Sequence, residues 1–287
     1  MENNRHLVFF GLFIVLMLIT GGCSITDSSA ELPASGQVRI TYLDIGQGDA
    51  TCIQTSDGQT ALIDTGDSEH QNTLVSDLKD LGVTRIDTLI LTHAHADHIG
   101  GARSVIAAFD IGKVLISPQA TTTKTYTRTL EAISAKNIPA ERPSPGTTFT
   151  LSDCTFTCLG PSGNQYDDLN NSSLVYRMTH GNDAFLFTGD AESQEEDEIL
   201  ASAADISCDV LKAGHHGSNS STRTPWLQAC GSRLKTVVIS VGAGNDYGLP
   251  SDKMLKRVSG YTLYRTDKNG AITATSTGDG ITFSTQK

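Results

Sequence analysis

The chain has 287 residues, 38% of them apolar and 18% charged, enough for the core of one α/β or two-sheet domain. With 21 Lys and Arg against 32 Asp and Glu, its formal charge is −11, which excludes a protein that coats polyanions through bulk charge. The apolar content also excludes a disordered tail, and six cysteines in this length exclude a disulfide-stapled miniprotein.

Residues 1–22 read as a secretory signal: Arg5 and His6 precede an apolar run over 7–19 that is short for a ~30 Å hydrocarbon core. Thr20-Gly21-Gly22-Cys23 resembles a bacterial lipobox, in which Cys23 becomes a lipidated N-terminus that anchors the chain to the outer face of the membrane. Residues 23–36 carry Ser, Ala and Pro without periodicity and read as a tether, leaving one domain over 37–287. Short β-type runs at 38–42, 51–55 and 60–64 are separated by Gly-rich turn signals. A helix over 71–81, a buried strand at 88–92, a helix over 102–109, a strand at 113–117 and a helix over 127–136 follow. The second half alternates in the same way, with β-structure over 148–159 turning near Asp153, strands at 174–179 and 185–188, a helix over 192–201 and a strand at 210–213. A strand at 236–241, a helix over 253–258 and strands at 262–265, 271–276 and 281–284 close the chain. Meanders interleaved with βα units in two successive halves suit two packed sheets with helices outside. Cys154 and Cys158, about 13 Å apart on a strand, cannot bridge, and the internal cysteines read as small buried hydrophobes.

Chemistry gathers at strand ends. His93-Ala94-His95-Ala96-Asp97-His98 follows the strand at 88–92 and precedes a Gly-Gly, placing three imidazoles and a carboxylate where they can converge on metal. Thr188-Gly189-Asp190 and Gly214-His215-His216-Gly217 end two further apolar strands in the same manner. Five of the eight histidines, with Asp97 and Asp190, therefore sit at three strand ends, whereas His70 and His180 belong to no cluster and read as surface or packing residues.

These motifs, with Leu62-Ile63-Asp64-Thr65-Gly66, resemble the metallo-β-lactamase superfamily. Tyr42-Leu43-Asp44-Ile45-Gly46-Gln47-Gly48-Asp49-Ala50, Asn170-Asn171-Ser172-Ser173, His215-His216-Gly217-Ser218 and Tyr264-Arg265-Thr266-Asp267 are similar to one branch of it, the hydrolase-like domain of the DNA-uptake protein ComEC and its free-standing relatives. The resemblance implies a four-layer αββα sandwich with the site along one edge, holding one or two divalent ions, Zn²⁺ or Mn²⁺. It assigns His93 and His95 to metal 1, Asp97, His98 and His215 to metal 2, and Asp190 to both. Asp64, and with it Asp44, is expected to support the ligands from behind. Two departures stand out. No His occupies the stretch before residue 174 where relatives carry a further metal-1 ligand, so Asp168 is the candidate oxygen ligand; and Leu249 stands where the branch commonly has His.

Two cations lower the pKa of a shared water toward 7 and clamp the oxygens of an in-line displacement. The expectation is therefore metal-dependent phosphodiester hydrolysis by activated hydroxide, on extracellular DNA. Asp97 and His216 are the catalytic groups, with His216 the proton donor to the leaving alkoxide. Asn171, Ser172, Ser218 and Ser220 are candidate phosphate-binding donors, and Lys212 and Arg265 the nearest basic ones. Alternatives are a surface phosphodiesterase on a cell-wall or lipid head group of the phosphorylcholine type, and a non-catalytic lipid-anchored binding module. No protein partner is expected.

Overall fold

The computed structural model describes residues 31–287; the expected signal and Cys23 lie outside the described residues. Eight strands form one sheet, in the order Ile281–Thr285, Ile272–Ser276, Val38–Tyr42, Thr51–Thr55, Thr60–Ile63, Arg85–Leu91, Asp110–Ile116 and Ala140–Glu141. Seven form the other: Thr262–Arg265, Thr236–Ile239, Val210–Lys212, Asp183–Phe187, Val175–His180, Cys154–Gly160 and Thr148–Leu151. Each sheet is antiparallel in one half and parallel in the other. The parallel runs cover the strands from Thr60–Ile63 to Ala140–Glu141 and from Asp183–Phe187 to Thr262–Arg265.

Ile40, Ile53, Phe156, Tyr176, Phe185 and Val238 interleave between the two sheets. On the outer face of the eight-stranded sheet, Leu74 and Leu78 from helix Gln71–Asp80 share a core with Val105 of Ala102–Ala108 and Ile133 of Lys124–Ala135. Spacings of three and four residues give each helix one apolar stripe, as an outer layer requires. Trp226, Ile199 and Met254 from helices Thr224–Ala229, Ser193–Ala201 and Asp252–Arg257 cover the other sheet. The architecture is the expected αββα sandwich.

Most strands begin and end within a residue or two of their expected positions; the larger differences have local causes. Helix Lys124–Ala135 starts three residues before 127 because the Thr123 hydroxyl accepts from the Tyr126 backbone N–H and caps it. Strand Arg85–Leu91 starts ahead of 88 because Ile86 is fully buried. One-turn helices at Ala96–Ile99 and Thr266–Asn269 are too short to carry a periodicity. Cys52, Cys154, Cys158, Cys208 and Cys230 are buried and unbridged. Among the described residues, no helix is long and apolar enough to cross a membrane.

Helix Ser193–Ala201 buries two acids with different fates. Glu196 accepts from Arg223 Nε at 2.8 Å, whereas both carboxyl oxygens of the fully buried Glu195 lack a hydrogen-bond partner among the described residues. Burial, aided by Glu198 nearby, pushes the Glu195 carboxyl well above its ordinary 4.5. The folded chain thus keeps a proton that the unfolded chain releases. Its contribution is fully present below the unfolded value and is lost as pH rises toward the folded one. Glu195→Gln is expected to melt several degrees higher than the parent at pH 8 and to converge with it near pH 4, by calorimetry across that range.

Candidate metal centre

The carboxyl ends of strands Thr60–Ile63, Arg85–Leu91, Asp183–Phe187 and Val210–Lys212 deliver Asp64, His93–His98, Asp190 and His215–His216 to one place, as open parallel sheets do with their ligand sites. Leu174 N–H donates to Thr92 O at 2.8 Å and joins the two halves, while His215 N–H donates to Gly189 O at 3.2 Å and ties together two loops of the seven-stranded sheet. Gly48 packs against the same loop, where a Cβ would stand 2.4 Å from Asp97 O.

Hydrogen bonds set which imidazole nitrogen faces inward. His98 Nδ1 donates to Asp64 Oδ2 at 2.8 Å, leaving Nε2 at 3.2 Å from Asp190 Oδ2. His216 Nδ1 donates to Ser240 O at 3.0 Å, leaving Nε2 at 3.3 Å from Asp97 Oδ2 and 3.6 Å from Asp190 Oδ2. For His93, the nearby hydroxyl protons are already committed: Thr92 Oγ1 donates to Asp64 at 2.7 Å, and Ser173 Oγ to Asn170 O at 2.7 Å. His93 Nδ1 is therefore the donor to both hydroxyls, at 3.2 and 3.4 Å, and its Nε2 faces His95 Nδ1 at 3.0 Å and Asp190 Oδ2 at 3.9 Å.

One ligand atom each from Asp97, His98, Asp190 and His216 lies within 4.8 Å of the others. His98 Nε2, His216 Nε2 and Asp190 Oδ1 are buried without a hydrogen-bond partner among the described residues. Inward lone pairs on a carboxylate and two imidazoles, otherwise unsatisfied, are a donor set that fits a divalent cation. The electrostatics agree. Burial opposes charge on Asp190, yet His98 and His216 outweigh it and hold the carboxyl well below its usual range. Burial likewise opposes charge on His216, but Asp190, Asp49 and Asp97 raise it to about 10. The centre is built to hold positive charge.

Several expected roles fall differently. His215 is outside the four-group cluster and His216 within it. His215 Nδ1 bonds Glu192 Oε1 at 2.7 Å, its Nε2 stands 4.0 Å from Asp190, and its side chain is 29% exposed on the pocket wall, against 1% for His216. Asp168 is exposed and caps the turn Leu169–Ser172 by accepting from Asn170 N–H at 3.0 Å. Asn170, one turn inward, lines the pocket with a buried, unpartnered Oδ1. Asp44 pairs with Lys287 at 3.0 Å, and the acid behind the site is Asp49, bonded to Lys212 and 3.5 Å from His216 Nδ1.

Lys212 is buried against Asp49 and inaccessible to a substrate; Arg265 is held by Asp267 at 2.9 and 2.6 Å. Asn171 and Ser172 are buried and brace the backbone through Glu195 N–H and Leu169 O. Ser218 bonds Ser220 at 2.8 Å, and Ser220 donates to Glu192. His70 pairs with Asp67 at the rim, and His180 packs between Ser276 and Asp153. A pocket of about 400 Å³ opens over the centre, walled by His95, Asp97, Asn170, His215, Tyr247 and Leu249 among others.

The family model described as the metallo-β-lactamase superfamily matches residues 43–240, and the chain belongs to that superfamily. Among its relatives are ComE operon protein 3 of Bacillus subtilis (31% identical, over 89% of this chain and 36% of the relative) and competence protein ComA of Neisseria gonorrhoeae (30%, over 84% and 33%). The chain thus spans about a third of the length of these relatives. The metallo-β-lactamase fold protein YhfI of Bacillus subtilis shares the fold, with a TM-score of 0.52 at 15% identity over 80% of this chain and 95% of its own.

The geometry separates the two adjacent histidines by experiment. His216→Ala is expected to cut bound metal per chain by about half or more, while His215→Ala leaves it unchanged, by elemental analysis after dialysis. Lys212→Met leaves the Asp49 charge buried and unpaired, at an expected cost of about 3–5 kcal/mol in urea unfolding; the double change Lys212→Met with Asp49→Leu recovers most of it.

Proposed function

We propose that the chain is a two-metal phosphodiesterase that cleaves nucleic acid outside the membrane. The observation that carries the hydrolytic reading is the convergence of Asp97, His98, Asp190 and His216, with His98 Nε2, His216 Nε2 and Asp190 Oδ1 buried and unpartnered among the described residues and with His93 and His95 beside them. On this reading His93 and His95 hold one ion, Asp97, His98 and His216 the other, and Asp190 both. Asn170 Oδ1, buried and unpartnered among the described residues at the pocket, would be the oxygen available in place of the missing histidine. Mixed nitrogen and oxygen donors suit Zn²⁺ or Mn²⁺. Bound there, two divalent ions lower the pKa of water and neutralise charge on phosphoryl oxygens.

The chain's own groups do the rest. Asp64, Ser240 O and the Thr92–Ser173 hydroxyl pair fix the ring orientations before substrate arrives. His215, on the pocket wall and oriented by Glu192, is placed to give a proton to the leaving oxygen, a role open to it because it is outside the donor cluster. Leu249, which also lines the pocket, adds no side-chain donor.

Nucleic acid is favoured by Tyr247, which lines the pocket while 74% exposed and offers a face on which a base can stack. A phosphorylcholine site needs several aromatic rings around the cation, and Tyr247 is alone among the described lining residues. The competence names of the relatives point the same way. Residues 1–22 as a signal and Cys23 as a lipid anchor complete the reading.

Purified protein reconstituted with Mn²⁺ or Zn²⁺ tests this on end-labelled DNA and on bis(4-nitrophenyl) phosphate. Expected is chelator-sensitive cleavage of both, abolished by His95→Ala with Asp190→Ala. His215→Gln should lower kcat on DNA about 10²-fold and spare the nitrophenyl ester, whose leaving group needs no proton. Turnover of the ester without DNA cleavage overturns nucleic acid as substrate, and silence on both with metal bound overturns the hydrolase.

A further inference from the structure

Beside the metal centre, helices Gln71–Asp80, Ala102–Ala108 and Lys124–Ala135 leave a cleft of about 390 Å³. Ser68, Gln71, Arg103, Ser104, Thr125 and Arg128 line it, and no carboxylate does. Neighbouring residues line the two recesses: Asp67 lines the centre and Ser68 the cleft, while Ala96 and Asp97 line the centre and Gly100 the cleft. Gly100 lies against both stretches, where a Cβ would stand 2.6 Å from Ser68 N and 2.4 Å from Ala96 O. A side chain at residue 100 would force these two stretches apart.

Among the described residues three arginines lack a hydrogen-bond or ion-pair partner, Arg103, Arg128 and Arg142, and two of them share this cleft; Arg39 and Arg257 bond neutral oxygens. Arg85, Arg177, Arg223, Arg233 and Arg265 are each tied to a carboxylate. Arg103 and Arg128 are exposed and have no hydrogen-bond or ion-pair partner among the described residues, although they share one recess, where like charges repel. The neutral groups point the same way. Ser104 Oγ donates to Gln71 Oε1 at 2.5 Å, which fixes the amide and leaves its NH₂ as a donor. Two guanidinium groups and an amide NH₂, with hydroxyls and no carboxylate around them, form a donor-rich recess, the complement of a phosphate oxygen set.

We propose that the Arg103–Arg128 cleft holds a backbone phosphate of a nucleic-acid strand whose adjoining phosphodiester lies in the metal centre. This rests on the nuclease reading above. An acidic protein thereby grips a polyanion locally, with two point contacts supplying the counterion release that its bulk charge cannot.

The test compares the purified full chain with Arg103→Gln/Arg128→Gln, both sites being exposed and equal melting temperatures verifying the fold. Binding of a fluorescein-labelled single-stranded oligonucleotide is followed by anisotropy in chelator across a salt series, and cleavage of the same strand and of bis(4-nitrophenyl) phosphate in Mn²⁺. Expected is a Kd at least about tenfold higher and a log–log salt slope shallower by about 1.4, the loss of two phosphate contacts. KM for the oligonucleotide should rise in step, with turnover of the small ester unchanged. An unchanged Kd and salt slope overturns the cleft, as does an equal loss on the small ester. If the parent cleaves nothing, the nuclease reading falls by itself and the anisotropy comparison still decides the cleft. Binding of poly(glycerol phosphate), lost in the variant, with none of the oligonucleotide overturns nucleic acid as the occupant.

Discussion

The carboxylate of Asp64, sealed from solvent at the end of strand Thr60–Ile63, accepts from Thr92 N–H at 2.8 Å, Thr92 Oγ1 at 2.7 Å and His98 Nδ1 at 2.8 Å. Those bonds clamp the end of one parallel strand to the next and turn His98 Nε2 toward Asp190. Thr65 continues the grip, its backbone N–H and hydroxyl both donating to His98 O, at 2.7 and 2.9 Å. Through Thr92 the same carboxylate reaches His93, because a threonine hydroxyl that donates to Asp64 can only accept from the imidazole beside it. Asp64 has a φ of 59°, a left-handed conformation that a non-glycine residue adopts at a cost of about 1–3 kcal/mol. Three strong hydrogen bonds in a dry interior offset that cost.

Charge is arranged by the same logic. The chain concentrates carboxylates at the centre, where Asp49, Asp64 and Asp190 are buried, and answers them with a buried cation of its own, Lys212. Burial opposes charge on Asp49, but Lys212 and His216 outweigh it and hold the group at about 2. Lys212 is thereby committed to structure: its ammonium fixes the acid that stands behind His216. Arg85, Arg223 and Arg233 are engaged in surface or part-buried ion pairs, of a kind worth little to stability. Unpaired positive charge beside the active edge is left to Arg103 and Arg128.

Strand and helix order, the two-sheet architecture and the strand-end clusters were legible because each rests on local pattern: apolar runs bounded by turns, and histidines spaced for one loop. What was not legible turns on backbone conformation or on partners distant in sequence. Asp44 and Asp49 look equivalent within one motif, yet only Asp49 meets Lys212, 163 residues away. Asp168 and Asn170 are two residues apart, and the turn at Leu169–Ser172 decides which faces the pocket. The cap on that turn is itself a signal: Asp two residues before Asn at a helix start is a common backbone-capping arrangement, and it argues that Asp168 is occupied. Arg265 and Asp267 stand two apart on a strand end, close enough to pair with one another rather than with a substrate.

The exchange of His215 and His216 shows why adjacency in sequence does not fix a role. Both residues have positive φ, 47° and 50°, followed by Gly217 at 81°, so the chain coils left-handedly through three positions. Extended backbone would direct the two rings by the ordinary alternation of a strand; here a left-handed turn carries His216 inward and His215 to the wall. Such a turn is costly for two non-glycine residues and persists only where its surroundings over-determine it. They do: Ser218 N–H returns to His215 O at 2.8 Å, Ser251 N–H reaches Gly217 O at 3.0 Å, Ser240 O takes His216 Nδ1 and Glu192 takes His215 Nδ1. Two neighbouring imidazoles are thus given different partners, one a backbone carbonyl in the interior and the other a carboxylate at the pocket. The Ser240 carbonyl turns His216 Nε2 toward the buried carboxylates of the centre, whereas Glu192 holds His215 at the pocket and favours its charged ring. The strain stored in this turn buys that division of labour from consecutive residues.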